Sequence, residues 1–253
     1  MRIAQLSDLH LRDGTLYSGF DPWHQLDLAL ARARTFAPAL LLLTGDLADD
    51  GSPATYARLA ERLRGHGFAW AALPGNHDDA AQLRAALWPD AREFQISTNF
   101  RVDRQDVSLL LLDTALPGRE DGAITPAHIE WLSANCPPAG RVLLALHHPP
   151  FAVGIAGMDR IGCAGGELLA DWLAGQPQVE ALLCGHVHRH VQTTFAGIPA
   201  FTCPSTVHQI ALCDDSLAWT NEMPGFLLHD LPPASPMRTH HVPLAAAPVV
   251  AYE

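Results

Sequence analysis

The sequence predicts an α/β fold in which helices cover a layered, largely buried sheet. Two observations carry this prediction: short apolar runs that end abruptly in polar, glycine-containing turns, and helical patterns that lie between those runs. The chain has 253 residues, of which 48% are hydrophobic and 17% are charged. It is therefore long enough to bury a full core, and its composition is not that of a disordered chain.

Six apolar runs predict buried strands, because each is short and is bounded by turn residues. They span residues 2–6, 39–43, 68–73, 107–112, 141–146 and 180–184. Polar residues follow each run directly, as in Thr44-Gly45-Asp46 after the second run. In α/β sheets ligands gather at the carboxyl ends of the strands, so these turns are expected to lie close together.

Helices are predicted between the runs, over residues 23–36, 52–64, 79–88, 125–135 and 166–174. In the first of them, apolar residues at positions 23, 26, 30 and 33 follow a helical period. Two others begin with a capping residue followed by proline at the first helical position, namely Ser52-Pro53 and Thr125-Pro126.

After about Val191 the pattern changes to short strands without a clear helix, predicted at residues 192–195, 199–203, 225–229 and 237–242. These strands could form a second sheet packed on the first, or an antiparallel edge. We expect a single domain over residues 1–253, in which 205–253 serve as a cap, dimerisation and tail region. The glycine-containing segment 154–165 is a candidate wall of an active site.

The charge pattern restricts the chemistry. Acidic residues number 27 and basic residues 16, a net charge of −11, and every basic residue is an arginine. The lack of lysine excludes a Schiff-base or Walker lysine, and the acidic balance argues against a surface that coats nucleic acid or anionic membranes. A small anionic substrate stays open, because a bound metal can reverse the local field.

The remaining composition sets expectations for location. The longest apolar runs fall far below the ~20 residues of a membrane helix, so no membrane span is expected. Residues 1–6 lead straight into a polar motif, which argues against a signal peptide. Five cysteines form no C-x-x-C pair and suggest neither a disulfide framework nor a cysteine zinc site. We therefore expect a cytoplasmic protein.

Five of the predicted strands end in residues that can bind a metal, namely Asp8-x-His10, Asp46, Asn76, His147 and His186-x-His188. In an extended segment residues two apart point to the same side, so each of the two spaced pairs is expected to aim at one point. Imidazole and carboxylate ligands suit Zn, Fe and Mn, and the lack of cysteine ligands disfavours a closed structural zinc site. Seven ligands exceed the need of one catalytic ion and suit two ions that share a carboxylate.

The ordered series of motifs resembles the signature of the calcineurin-like metallophosphoesterases over about residues 1–190. The matching stretches are Asp8-x-His10, Gly45-Asp46, Gly75-Asn76-His77-Asp78, His147-His148 and Gly185-His186-x-His188. Three more stretches are similar to the class III cyclic-nucleotide phosphodiesterases and bacterial glycerophosphodiesterases of that family: His147-His148-Pro149-Pro150, Met158-Asp159 and Thr206-Val207-His208-Gln209. The resemblance implies a four-layer α/β/β/α sandwich with a dinuclear metal site.

The resemblance also implies a role for each motif. The first metal would be held by Asp8, His10, Asp46 and His188, and the second by Asp46, Asn76, His147 and His186, with Asp46 bridging. The two divalent or trivalent ions would be Fe, Mn, Zn or Co, among which the ligand types do not choose.

Asn76 and His77 would be the catalytic residues, and His77 would contact the substrate phosphate and assist the leaving group. Asp78 is a candidate for fixing the tautomer of His77 or raising its pKa. His208 would lie on the substrate side. Tyr17, in the loop after the first ligand pair, is a further candidate pocket residue, and an ordinary loop aromatic is the equally compatible alternative.

Other histidines have no predicted part in the site. His148 follows His147 along a strand end and is expected to point the other way, into packing or behind the ligands. His190 is expected at the rim or in solvent, and His229 is expected to be a surface or packing residue.

Together these roles predict a metal-dependent phosphodiesterase that hydrolyses small diesters, either 3′,5′-cyclic nucleotides or glycerophosphodiesters, by attack of a hydroxide held between the metals. A phosphomonoesterase of broad specificity is the alternative, since the same metals serve both reactions. A nuclease fits poorly with the net charge of −11, and a non-catalytic scaffold fits poorly with a complete ligand set. The expected partner is a small phosphodiester, not a nucleic-acid polymer or a membrane, and the related enzymes suggest a homo-oligomer, a dimer or higher.

Overall fold

The computed structural model describes residues 1–89, 99–213, 216–248 and 250. In chain order its elements are β1 (Arg2–Leu6), α1 (Pro22–Arg34), β2 (Leu40–Thr44), α2 (Pro53–His66), β3 (Trp70–Leu73), α3 (Ala80–Leu87), β4 (Phe100–Arg104), β5 (Val107–Leu112), β6 (Gly122–Ala123), α4 (Pro126–Asn135), β7 (Arg141–Leu146), α5 (Ala156–Asp159), β8 (Cys163–Ala164), α6 (Gly166–Leu173), β9 (Val179–Cys184), β10 (Val191–Phe195), β11 (Ile198–Thr202), β12 (Gln209–Ile210), β13 (Trp219–Thr220), β14 (Gly225–Asp230) and β15 (Arg238–Pro243). All six predicted apolar runs form strands, and all five predicted helices are present within a few residues of their predicted bounds.

Two mixed sheets form the centre of the molecule. The first has the order β15-β14-β1-β2-β3, with β1, β2 and β3 parallel and the two C-terminal strands antiparallel at one side. The second has the order β10-β11-β9-β7-β5-β4, with a parallel centre and an antiparallel strand at each edge. After Val191, β14 and β15 extend the first sheet with antiparallel pairings, and β11 extends the second in parallel to β9 before β10 closes its edge antiparallel. The short strands β12 and β13 pair with each other.

The buried residues fall into layers that follow from this arrangement. One apolar layer, which includes Leu42 and Leu143, lies between the two sheets. A second, which includes Leu30 and Tyr56, lies between the first sheet and the helices α1, α2 and α3. A third, which includes Leu169, lies between the second sheet and the helices α4 and α6. The predicted four-layer α/β/β/α sandwich is confirmed.

Local signals fix several helix starts. The side chains of Asp21, Ser52 and Asp79 accept hydrogen bonds from the first backbone N–H groups of α1, α2 and α3. These bonds satisfy donors that a helix leaves without an internal partner. At α4, Thr125 and His128 form a capping box. Proline stands in the first turn of α1, α2 and α4, as the sequence indicates for two of them.

The segment predicted as a cap, dimerisation and tail region divides in the structure. Its residues 225–243 contain β14 and β15, which belong to the first sheet, and Leu244 is buried against the same layer. The described part of the tail is therefore attached as far as Leu244, and residues 249 and 251–253 lie outside the described residues. Dimerisation stays a prediction. Among the described helices, none combines the length and apolarity needed to cross a membrane.

Candidate metal centre

The structure brings the seven predicted ligands together at one edge of the sandwich. Asp8, Asp46, Asn76, His147 and His186 follow closely on the carboxyl ends of five parallel strands, β1, β2, β3, β7 and β9. Six of the seven predicted ligand side chains are buried, and Asn76 is half-buried. Ligand atoms of the first predicted set lie within 4.8 Å of one another: Asp8, His10, Asp46 and His188.

Five of these ligands sit in an unfavourable backbone conformation. Asp8, His10, Asp46, His186 and His188 have φ values of 52°, 46°, 51°, 70° and 51°, in the left-handed region. Non-glycine residues adopt that region at a cost of order 1–3 kcal/mol each, and such residues cluster at functional sites. The expectation that the spaced pairs converge because their segments are extended is therefore wrong. The pairs converge through left-handed turns directly after the strands.

Glycines allow the ligands to approach one another. A Cβ atom at Gly75 would lie 2.1 Å from Asp46 Oδ1, and one at Gly45 would lie 2.3 Å from His147 Nδ1. Real Cβ atoms do not approach other atoms this closely, so both positions require glycine. The Gly45-Asp46 and Gly75-Asn76 pairs of the sequence are thus explained by close packing around the site.

Each ligand imidazole is anchored through the nitrogen that faces away from the cluster. His147 Nδ1 donates to the carbonyl of Thr44 (2.7 Å), and His188 Nδ1 donates to the carbonyl of His208 (3.2 Å). His186 Nε2 lies 2.9 Å from the carbonyl of Ile161, and His10 Nδ1 lies 3.1 Å from Asp49 Oδ1. Because these partners are acceptors, each anchored nitrogen carries a proton. Metal-binding histidines are held in this way, with the other nitrogen left free for the ion.

The free nitrogens then face other acceptors. His10 Nε2 and His188 Nε2 are 3.0 Å apart, and His147 Nε2 lies 3.2 Å from Asn76 Oδ1 and 3.4 Å from Asp46 Oδ2. Acceptors this close repel one another unless a proton or a metal ion lies between them. The donor set is imidazole, carboxylate and amide oxygen, which fits Zn, Fe, Mn or Co ions.

The pKa shifts of the clustered side chains also indicate a site that favours bound positive charge. Burial raises the pKa of the Asp8 carboxyl to about 7, the charge of Asp46 adds to the rise, and His147 opposes it. Burial lowers the pKa of His147, but the charges of Asp46 and Asp8 outweigh it and raise that pKa to about 9. In contrast, burial lowers the pKa of His186 to about 3. His186 is therefore neutral at pH 7, the protonation state in which imidazole binds metals.

His148 departs from its expected position. Its ring centroid lies 4.7 Å from that of His147 and 4.6 Å from that of His186, and its nitrogens belong to the same compact group as theirs. Its Nδ1 lies 2.9 Å from Thr114 Oγ1. The expectation that it points away from the ligands is wrong, because the chain turns after β7 and does not continue as an extended strand.

His77 is exposed at the mouth of the site, with its ring edge-on to His10 at 4.8 Å between centroids. Its backbone N–H donates to Asp46 Oδ1 at 2.9 Å. The nearby carboxylate is Asp49, whose Oδ1 lies 3.5 Å from His77 Nδ1. The sequence suggested Asp78 as the partner of His77, and the structure places Asp49 beside His77 instead.

Asp78 organises the backbone instead. Its carboxylate accepts hydrogen bonds from the backbone N–H groups of Leu47, Ala48 and Gly75 and from the hydroxyl of Tyr56. It thereby joins the turn after β2 to the turn after β3. Although Asp78 is next to His77 in sequence, its side chain holds the loops that carry Asp46 and Asn76. Only the fold distinguishes this role from a direct contact with His77.

A cavity of about 300 Å³ opens above the cluster. Its floor is polar and contains His10, Asp46, Asn76, His77, His186 and His188. Its wall is largely apolar and contains Leu16, Tyr17, Met158, Ile161, Ile210 and Leu217. No arginine lines it among the described residues, so anion recognition falls to histidines, the Asn76 amide and the cations that the ligands would hold. Met158 and Ile161 belong to the segment 154–165, which thus does line the cavity.

Both predicted substrate-side residues lie at this cavity. Tyr17 Oη lies 2.7 Å from His208 Nε2, and the His208 ring is 4.9 Å from that of His188 between centroids. Trp219 stands edge-on behind Tyr17, with 5.4 Å between ring centroids. From the sequence, Trp219 was expected only as part of the segment after Ser205 that could form a pocket cap or a dimer interface, because no motif surrounds it. For Asp49 the sequence left open a place behind the ligands or an ordinary loop position, although a carboxylate three residues after Asp46 was a usable signal.

Comparison with known proteins gives a consistent result. The family profile described as calcineurin-like phosphoesterase matches residues 1–190. The chain is 30% identical to a 3′,5′-cyclic-nucleotide phosphodiesterase of Nostoc sp., over 89% of this chain and 86% of the relative. It is 29% identical to a glycerophosphodiester phosphodiesterase of Enterobacter lignolyticus, over 90% of this chain and 86% of the relative. Among solved structures, a dimetal phosphatase of Danio rerio superposes with a TM-score of 0.74 at 15% identity, covering 96% of each chain, which shows a shared fold.

Proposed function

The chain belongs to the calcineurin-like phosphoesterase family, and from that premise we propose that it is a dinuclear metal-dependent phosphodiesterase acting on small diesters. The observation that carries the proposal is the buried cluster of Asp8, His10, Asp46 and His188 beside His147 and Asn76, with every histidine of the set anchored at its outer nitrogen. The relatives named as cyclic-nucleotide and glycerophosphodiester phosphodiesterases support 3′,5′-cyclic nucleotides or glycerophosphodiesters as the substrate class.

We assign the ligands in two sets that share Asp46. Asp8, His10, Asp46 and His188 would hold one ion, and Asp46, Asn76, His147 and His186 the other. Two bound ions supply a lowered pKa for attacking water and positive charge for the phosphate oxygens. The protein's own contribution is position, since phosphoryl transfer depends mainly on alignment and electrostatics.

The residues at the mouth of the site complete the assignment. His77 is exposed toward the cavity and lies beside Asp49, so its imidazole can hold or deliver a proton at the leaving oxygen. The Asn76 amide can donate to a phosphate oxygen from the floor. His208, held by the hydroxyl of Tyr17, lines the same cavity and can contact the substrate.

Three finer points belong to the proposal as well. We expect iron or manganese among the candidate ions, a cytoplasmic location and a homo-oligomer. Metal analysis of the purified protein tests the first, and its molar mass in solution tests the third.

The central test uses metal-depleted protein reconstituted in turn with Fe²⁺, Mn²⁺, Zn²⁺ and Co²⁺. Turnover is compared on bis-p-nitrophenyl phosphate and p-nitrophenyl phosphate, then on cyclic AMP and glycerophosphoethanolamine. The proposal expects metal-dependent hydrolysis with the diesters preferred. Faster hydrolysis of monoesters would favour the phosphomonoesterase alternative, and full metal occupancy without hydrolysis would favour a scaffold.

A further inference from the structure

A polar side chain occupies the apolar layer between the two sheets. Gln5 lies on β1, is fully buried, and faces the same side of the strand as Ile3, which belongs to that layer. Buried amides are costly unless their donors and acceptors are paired. An apolar side chain would fill this position without the cost of removing an amide from water. The hydrogen-bond partners of Gln5 therefore indicate what its amide contributes.

Every polar group of the Gln5 amide has a partner. Nε2 donates to the carbonyl of Cys184 and to Thr44 Oγ1, both at 3.0 Å. Because a carbonyl can only accept, the orientation of the amide is fixed, and Oε1 accepts from His229 Nε2 at 2.9 Å. The other nitrogen of His229 lies 2.9 Å from Thr239 Oγ1. A continuous buried chain therefore runs from β15 to β2 and crosses to the second sheet.

The two bonds from Nε2 end on residues that precede metal ligands. Thr44 is the last residue of β2, its carbonyl accepts from His147 Nδ1, and Asp46 follows two residues later. Cys184 is the last residue of β9, and His186 follows two residues later. The amide thus joins the supports of three of the four ligands assigned to the second metal. No such bond from Gln5 reaches a residue that anchors His10 or His188.

The bonds of Gln5 are not needed to keep its neighbours paired. The carbonyl of Cys184 also accepts from the backbone N–H of Cys203 at 2.9 Å, and Thr44 Oγ1 also donates to the carbonyl of Leu6 at 3.4 Å. Only His229 Nε2 would lose its partner if Gln5 became apolar. What the amide adds is a direct side-chain link between the ends of β2 and β9, beneath the link that His147 makes from Thr44 to Gly185.

We propose that Gln5 is a positioning residue of the metal centre, which sets the spacing of the second-metal ligands Asp46, His147 and His186 from the layer beneath them. The inference rests on the proposed dinuclear site. Groups behind metal ligands typically change metal affinity 10–100-fold when they are removed. Since Gln5 acts through Thr44 and Cys184, an effect of about tenfold is expected, the low end of that range.

Two variants test the inference without depending on a single fold-sensitive change. Gln5→Leu combined with His229→Phe removes both partners of the buried pair and frees only the half-buried Thr239 hydroxyl. Thr44→Val removes the bonds of the Thr44 hydroxyl to Gln5 and to the Leu6 carbonyl and keeps the carbonyl that holds His147. Ile3→Val, on the same face of the same strand, is the matched control. Stepwise Mn²⁺ binding to metal-depleted protein is measured by calorimetry, together with the thermal midpoint. The binding step that His147→Ala abolishes identifies the second site.

The expected result is a second-site affinity about tenfold weaker in both variants, with a smaller loss at the first site, which shares only Asp46 among the three ligands that Gln5 positions. KM for a diester stays unchanged, and kcat returns at saturating Mn²⁺. Unchanged metal affinities in the variants would overturn the inference. Equal weakening of both metal sites would overturn it too, if it follows the loss of thermal stability in the same proportion as in the control Ile3→Val. Either result leaves the proposed function intact, because that function fails only if wild-type protein does not bind metal or hydrolyse a diester.

Discussion

The floor and the wall of the cavity are built in opposite ways. Floor residues such as Asp46 and His186 are buried, lie in left-handed turns and follow the ends of parallel strands. Wall residues such as Tyr17 and Leu217 are 70% and 50% exposed and come from loops far apart in sequence. A site that must hold ions needs preorganised geometry, whereas a site that accepts part of a substrate can be shaped by loops.

From this difference we expect that substitutions of the metal ligands in the floor abolish metal binding. Substitutions in the wall are expected to change substrate recognition only. The largest expected effect is at the shared carboxylate. Asp46→Ala removes a ligand from both proposed ions, and we expect loss of one or both tightly bound ions and a fall in kcat of at least about 10³-fold. Metal content by mass spectrometry and turnover on bis-p-nitrophenyl phosphate measure both quantities. If Asp46→Ala retains two tightly bound ions per chain, the bridging assignment is wrong.

His77 is an exposed residue of the floor and is not among the seven assigned metal ligands. His77→Ala is expected to keep both metals and to lower kcat about 10²–10⁴-fold on a diester with a poor leaving group, the usual contribution of a general acid. The loss should be smaller with p-nitrophenolate, which departs without a proton. Equal turnover of variant and wild type on the poor leaving group would remove His77 from the mechanism.

The wall should respond more weakly. Trp219→Ala removes the ring that stands edge-on to Tyr17, a type of pair worth about 0.5–1.5 kcal/mol. We expect KM for cyclic AMP to rise roughly 2- to 10-fold with kcat and metal content unchanged. Leu28→Ala, an exposed leucine on α1, is the control. A fall in kcat with constant KM would place Trp219 with the floor and contradict the comparison.

The smallest effect expected at neutral pH concerns the stability of the layer that contains Gln5 and His229. Burial, together with the charge of His190, lowers the pKa of His229 to about 3. Between the ordinary histidine pKa of about 6.5 and that value, the unfolded chain binds a proton that the folded chain does not. The free energy of unfolding therefore falls as pH drops from about 6.5 to 3. In denaturant titrations across this range, the free energy of unfolding should depend on pH less steeply in His229→Phe than in wild type, by the slope that one bound proton contributes. Identical slopes in the two proteins would refute the assigned protonation state of His229.

Much of the fold, and the convergence of the candidate ligands, could be predicted from local patterns. Runs such as 107–112 identify buried strands, and Ser52-Pro53 identifies a helix start, because hydrophobic period and capping depend on neighbours in sequence. The convergence of the candidate ligands could be predicted because strand ends and glycine turns are local too. The expected direction of His148 was wrong, since it depended on an extended backbone that the chain does not keep after β7.

By itself, then, the sequence determined the α/β class, the family and the order of the seven candidate ligands. Tertiary structure alone decided that Asp49 and not Asp78 lies beside His77, that Gln5 bridges β2 and β9, and that Tyr17 meets His208. The physical reason is separation along the chain. Tyr17 and His208 are 191 residues apart, so their hydrogen bond exists only after both sheets have formed and brought distant loops to one edge.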